Sequence, residues 1–297
     1  MIGFSILEYI RILISRAYKR LFTSLLELCD MRNWRIFIPI AFVLIVIVTG
    51  LRGTTKMVVR MAGSTAFLPF AERLSEVYME KHHDVVIEVQ GGGSATGIMA
   101  ALQGIVDVGM VDLLILPKVT NSLGHVTVAR DGIAIVVNPD NDVSGVTSEQ
   151  LGDIFSGKIQ NWQELGGTPG PIRVVSREDG SGTRTSFDAL VLKGRKLTSE
   201  ALFQDSNGTI REAVERDPQA IGYISIGFLV PQIKSLTIDG VEASNTNVVS
   251  GTYRFARPVY LLTQPHPTVQ SKAFVDYILS TEGQQIIAKD GLIPVHL

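Results

Sequence analysis

From residue 57 onward, short apolar runs alternate with segments of helical periodicity, and this alternation constrains the fold more than any other feature of the chain. Met57–Met61 and Val85–Val89 read as strands, being short, rich in β-branched residues and bounded by turn-forming stretches. Between them, Leu68–Lys81 carries its apolar residues at helical spacing. The same reading places strands at Val106–Met110, Gly132–Val137, Ile172–Val175, Ile221–Ile224 and Val259–Leu262. It places helices at Ser94–Gln103, Ser186–Leu192, Thr209–Arg216, Thr268–Leu279 and Gly283–Lys289. Strands alternating with helices predict βαβ units, mostly parallel sheets and an α/β fold.

Composition narrows the function. The 297 residues suit about two domains, and 45% hydrophobic against 19% charged residues excludes an intrinsically disordered chain. With 27 Lys+Arg against 29 Asp+Glu there is no basic field, so no nucleic-acid partner is expected. One cysteine, Cys29, excludes an intrachain disulfide framework and a Cys-based zinc cluster. Of five histidines only His82 and His83 lie close together, and they do not have metal-ligand spacing. Neither a metal nor a cofactor is expected.

Ile36–Leu51 is uncharged throughout. As a helix it would reach about 24 Å, short of a bilayer core of about 30 Å. Trp34, Arg32, Arg35 and Arg52 could extend it by sitting at the headgroups. More Lys and Arg precede the run than follow it, which puts the N-terminus in the cytoplasm and the body outside. The expectation is an uncleaved signal anchor at 36–53 preceded by a cytoplasmic or interfacial segment at 1–35. A secretory signal starting at Met31 is the alternative, and residues 1–29 carry a basic amphipathic pattern suited to a membrane surface.

Three strand-to-helix turns stand out: Gly63-Ser64-Thr65, Gly91-Gly92-Gly93-Ser94 and Asp179-Gly180-Ser181-Gly182-Thr183. Each sets glycine and a hydroxyl where a helix begins. Orphan N–H groups and the helix dipole favour an anion there. A lone cap of this kind is common; three in one chain, one preceded by Arg177, point to anion binding. The glycine-rich stretch from Gly91 to Gly97 lacks the Lys-Ser/Thr ending of a phosphate-binding P-loop. Around Ser181, Asp179 stands where a GxSxG elbow needs its first glycine. Enzyme chemistry thus has no positive support.

Arg177-Glu-Asp-Gly-Ser-Gly-Thr183, read with Ala62-Gly-Ser-Thr65, Gln90-Gly-Gly-Gly-Ser-Ala-Thr-Gly97 and Phe155-Ser-Gly-Lys-Ile-Gln-Asn-Trp162, resembles the phosphate-binding proteins of bacterial and archaeal ABC transporters. The resemblance continues through Ser206-Asn-Gly208, Ala220-Ile-Gly-Tyr223, Arg257-Pro-Val-Tyr260 and Ser280-Thr-Glu-Gly-Gln284. It implies a two-lobed periplasmic-binding-protein-like fold with a hinge, closing on one inorganic phosphate that passes to an ABC permease in the membrane. Lobe one would be residues 54–136 plus 257–297 and lobe two residues 137–256, with crossings near Val136–Pro139 and Phe255–Pro258.

The resemblance also implies site roles. Ser64, Thr65, Ser94, Ser181 and Thr183 would bind the phosphate, with backbone N–H groups of Thr65, Ala66 and Gly182. Arg177 would contact it as a charged fork held by Asp179, and Gly93 would lie behind the contact residues. Asp112 would accept the proton that phosphate retains and sulfate lacks, since an ionised carboxylate can only accept. Here the chain departs from the family at Val111, where many relatives carry a serine hydroxyl. Other readings are a membrane-anchored phosphate or oxyanion sensor and a phosphatase-like enzyme. Molybdate, tungstate and sulfate are the alternative ligands.

Overall fold

The computed structural model describes residues 56–296. The expected anchor at 36–53 and the segment before it lie outside the described residues. Among the described residues no helix is long and apolar enough to cross a membrane.

The first strands and helices follow the sequence pattern closely. Strand β1 (Met57–Gly63) leads into helix α1 (Leu68–Lys81), which starts with a proline in its first turn. Pro fits there because its missing N–H would have no intrahelical partner. α1 buries Phe70, Ala71, Leu74, Ser75 and Tyr78, one face of the 3.6-residue repeat. β2 (Val85–Gln90), α2 (Gly93–Leu102) and β3 (Val108–Val111) follow. Then comes β4 (Gly124–Val137), which runs 14 residues where the pattern predicts only Gly132–Val137. Its first half carries His125, Thr127, Arg130 and Asp131, which obscure the strand pattern.

The middle of the chain holds β5 (Gly145–Val146), α3 (Ser148–Phe155), β6 (Arg173–Arg177), α4 (Gly182–Phe187) and β7 (Leu202–Gln204). It continues with α5 (Asn207–Arg216), β8 (Ala220–Ser225), β9 (Lys234–Ser235), β10 (Thr237–Ile238) and α6 (Asn245–Val249). Reciprocal side-chain and backbone bonds between Thr147 and Gln150, and between Ser206 and Thr209, cap α3 and α5. The expected helix at Ser186–Leu192 divides: α4 stops at Phe187 and one π-helical turn carries Asp188–Leu192. β11 (Ala256–Thr263), α7 (Val269–Leu279), α8 (Thr281–Lys289) and β12 (Ile293–Pro294) complete the described chain.

One twisted path of strands runs β2-β1-β3-β11-β4-β8-β6-β7, with β12 and β9 also on β4. The expectation of mostly parallel sheets is corrected. β1 pairs in parallel with β2 and β3, and β6 with β7 and β8. β11, however, runs antiparallel to β3 and β4, and β4 antiparallel to β8. β11 arrives from the far end of the molecule instead of through a crossover helix, so the handed βαβ connection does not fix its direction.

Two bodies form around this path. In one, Val59, Leu74, Val108, Val128, Ala129, Leu261, Phe274 and Ile287 share an apolar core. A smaller cluster of Ala62, Ile98, Val111 and Leu262 lies in the same part of the chain. In the other body, Ile133–Val137 pack with Phe155, Trp162, Phe187, Ile210, Tyr223 and Val248. The fold is a two-lobed α/β architecture in which β4 leaves one core and enters the next without interruption.

Candidate functional site

All three glycine-hydroxyl turns meet where the two bodies face each other. Gly63 ends β1 at φ 137°, and a Cβ there would collide with the Met110 carbonyl. Only glycine fits, and this brings Ser64 N–H within 2.9 Å of that carbonyl. Ser64 is buried and its Oγ accepts from Phe67 N–H at 3.2 Å, while Ala66 is buried beside it. Gly92 and Gly93 also hold positive φ before Ser94 enters α2. A Cβ on Gly93 would strike the Gly180 carbonyl of the opposite body, to which Ala95 N–H donates at 3.1 Å. Two glycine turns thus touch backbone to backbone across the cleft.

Asp112, just past the end of β3, is the centre of the arrangement and is 1% exposed. Ser94 Oγ donates to its Oδ1 at 2.6 Å. Its Oδ2 accepts from Thr183 Oγ1 at 2.9 Å and from Arg257 Nε and Nη2 at 3.0 and 2.8 Å. Burial pushes the carboxyl upward, but the Arg257 charge and hydrogen bonds from Ser94, Arg257 and Ser64 outweigh it and hold Asp112 below the usual range. It is an ionised acceptor. Gly182, opposite, has no room for a side chain, because a Cβ would meet Ser94 Oγ and Asp112 Oδ1. Ser181 caps α4, accepting from Arg184 N–H at 3.2 Å.

Arg177 ends β6 and is 1% exposed. The aromatic core of its own body positions it. Phe187 stacks on Tyr223 at 4.0 Å, and the Tyr223 hydroxyl accepts from Arg177 N–H at 3.2 Å while lying 2.8 Å from Ser176 Oγ. The Arg177 side chain crosses the cleft to donate from Nη2 to Thr65 Oγ1 at 3.0 Å. Its expected partner is corrected. Nε and Nη2 each donate at 2.9 Å to Glu178, whereas Asp179 pairs with Arg184 at 2.7 Å and its side chain is 98% exposed. Gly180, at φ 92°, turns the chain directly after Asp179, which leaves that carboxylate at the solvent tip of the turn.

The structure therefore brings Ser64, Thr65, Ala66, Ser94, Asp112, Arg177, Ser181, Gly182, Thr183 and Gly93 to one cleft, and it leaves Asp179 at the rim. Ser94 and Thr183 direct their hydroxyls at Asp112. Val111 points into the apolar cluster with Ile98 and Leu262, so its missing hydroxyl alters packing and does not face the cleft.

Sequence reading passed over Arg257 and Asp131. They face each other across β11 and β4, with Arg257 Nη2 3.1 Å from Asp131 Oδ2. Asp131 Oδ1 accepts from Ser225 Oγ at 2.8 Å. Burial pushes the Asp131 carboxyl up to about 6 despite the guanidinium. Arg257 itself is raised, because its two carboxylates outweigh the effect of burial. A signal existed in the Arg257-Pro-Val-Tyr260 motif, but nothing in it names the partners. Arg177 Nη1 and Arg257 Nη1 are buried without a hydrogen-bond partner among the described residues. An unmet buried donor costs about 1–3 kcal/mol, so two of them on guanidinium groups beside five hydroxyls suit an anionic ligand.

The fold and cleft define a class, the two-lobed solute-binding proteins, and the profile of the PBP superfamily domain matches residues 50–282. The phosphate-binding protein PstS of Bacillus subtilis is 36% identical over 240 residues, covering 79% of this chain and 80% of that protein. A phosphate ABC transporter substrate-binding protein from Clostridium perfringens, solved with bound phosphate, is 40% identical with a TM-score of 0.78, covering 80% of this chain and 99% of that one. An ABC-type phosphate transport receptor from Vibrio cholerae is 33% identical with a TM-score of 0.68, covering 79% and 99%. The chain belongs to the PBP superfamily and, within it, to the family of the phosphate-binding protein PstS.

Proposed function

We propose that this protein captures orthophosphate between its two lobes outside the cytoplasm and delivers it to an ABC permease. The observation that carries the reading is the convergence of three glycine-hydroxyl turns and the Arg177 guanidinium around one ionised carboxylate, Asp112. Relatives of similar length that are named for phosphate support the choice of ligand. Arg177 supplies one charged donor, Nη1, since Nε and Nη2 are held by Glu178 and Thr65. The hydroxyls of Ser64, Thr65, Ser94, Ser181 and Thr183 and the N–H groups of Thr65, Ala66 and Gly182 replace the anion's water. Asp112 accepts a hydrogen bond from the proton that the ligand retains, and sulfate has none to donate. Two acceptors would then face each other in a dry site, which disfavours sulfate by about 3 kcal/mol or more. Selection and transfer need no bond-making, so we assign no catalytic residue.

We place lobe one near residues 54–132 with 257–297 and lobe two near 133–256, in place of the expected boundary at 136/137. The packing of Ile133–Val137 with the second core favours a first crossing between Ala129 and Ile133. The uncharged run at 36–51 would tether the binding unit to the membrane.

Calorimetric titration of the full-length chain, stripped of phosphate at neutral pH, tests the reading. One-to-one phosphate binding with sulfate at least about 100-fold weaker is expected. Equal affinity for sulfate or molybdate, or silence toward every oxyanion, would overturn it.

A further inference from the structure

One oxygen of the Asp112 carboxylate, Oδ2, is saturated. An ionised carboxylate offers about four lone-pair sites, two on each oxygen; here Thr183 Oγ1, Arg257 Nε and Arg257 Nη2 crowd Oδ2, while Ser94 Oγ donates to Oδ1. A ligand proton can reach Oδ2 only if one of these donors turns away, and it reaches Oδ1 beside Ser94 or in its place. The two hydroxyls can do so by rotating about one bond. The guanidinium cannot. Its strand is paired to β3 and β4, its side chain is 0% exposed, and the Asp131 carboxylate lies 3.1 Å from its Nη2 as a second ion-pair partner. Arg257 Nη2 also donates to Thr183 Oγ1 at 2.9 Å, so that oxygen keeps a partner while its hydrogen points elsewhere.

We propose that Arg257 is a specificity-determining residue of this cleft: it stays on Asp112 throughout, keeping that group a pure acceptor, while Ser94 and Thr183 swing their hydrogens from Asp112 to the bound oxyanion. This rests on the phosphate reading above. Without Arg257, a carboxylate with 2% side-chain exposure beside an anion would keep a proton and become a donor, and sulfate would then find a partner. The groups facing Arg257 are Asp112 after β3, Asp131 on β4, Thr183 on α4 and Tyr223 on β8. None of them supplies a second cation to replace it. Asp131 lies across the strand pair as the counter-charge that lets a guanidinium sit dry at this place.

The test is the ratio of phosphate to sulfate affinity, titrated calorimetrically on the full-length chain at neutral pH. Arg257→Gln should lower the ratio at least about tenfold, phosphate weakening while sulfate holds or gains. In an Asp112→Asn background the same change should leave the ratio where Asp112→Asn put it, since Arg257 acts through Asp112. Should Arg257→Gln fail to fold, Arg257→Met with Asp131→Asn removes the cation and its stranded counter-ion together, and the same fall is expected. If both affinities fall in proportion and the ratio survives, Arg257 is a structural residue and the assignment is overturned. A wild-type chain without phosphate preference overturns the phosphate reading itself, and the assignment with it. A preference that the variants retain overturns the assignment alone.

Discussion

The cleft holds two arginines, each 1% exposed and each with one buried nitrogen unmatched among the described residues, but they are built in opposite ways. Arg177 is held by its chain neighbour Glu178, whose side chain is 32% exposed, and by the nearby carbonyls of Gln204 and Asp205. Arg257 is held by Asp112, 145 residues away, and by Asp131 on the adjacent strand, both dry. A cation whose partner reaches water can lose that partner cheaply, because the freed charge is solvated. A cation whose partners are sealed inside cannot. The first is therefore suited to meeting a ligand and the second to fixing the geometry that the ligand meets.

The sharpest way to break this contrast is to remove each charge and compare unfolding. Arg257→Gln strands two buried carboxylates and should destabilise the protein by about 3–5 kcal/mol in denaturant titration. Arg177→Gln should cost less than about 2 kcal/mol but weaken phosphate binding on the order of 100-fold. Equal losses of stability would erase the distinction.

A second comparison sets Asp131 against the rest of the fold through pH. Its ordinary value is 3.8 and burial lifts it to about 6, so the folded protein holds this proton more firmly than the unfolded chain. The stability it contributes is present at low pH and lost as pH rises through about 4 to 6. Asp131→Asn should flatten that part of the profile of thermal midpoint against pH. Asp112, shifted downward, acts in the opposite sense and at lower pH. A variant with an unchanged profile would mean that Asp131 is ionised throughout.

The smallest effect sharpens the local side of the contrast. Glu178→Gln should weaken phosphate binding a few-fold and in a salt-dependent way, while Asp179→Asn should stay within about twofold of wild type, as exposed ion pairs usually do. The reverse order would return Asp179 to the role that the motif suggests.

What the sequence disclosed follows the same division. Helix α1 was legible at both ends because a proline, a 3.6-residue repeat and a closing polar stretch all lie within its own span. The three turns were legible because each combines glycine and hydroxyl within a few residues. Strand register was not. Nothing local in Arg257-Pro-Val or Arg130-Asp131 states that the two strands pair, or that Arg257 falls opposite Asp131. The first half of β4 was missed because its polar residues serve partners elsewhere, Asp131 being the clearest case. The choice of Glu178 over Asp179 was illegible for a subtler reason: the motif lists both, and only the turn at Gly180 decides which one faces Arg177.

The course of β4 has a consequence for how the chain is made. Its first half is joined to β11 and β12, the last of the described strands to be synthesised, while its second half pairs with β8 and β9, which come earlier. Synthesis usually lets the N-terminal portion of a protein fold before the rest exists. In this molecule the order is nested. The body around Phe155 and Tyr223 has nearly all its strands once residue 253 has emerged. The body that begins at Met57 lacks β11, an inner strand between β3 and β4, until the final stretch appears. Until then β3 and the first half of β4 wait with bare edges, as templates for a wrong partner. Of these two bodies, the one that is started first is the one that is finished last.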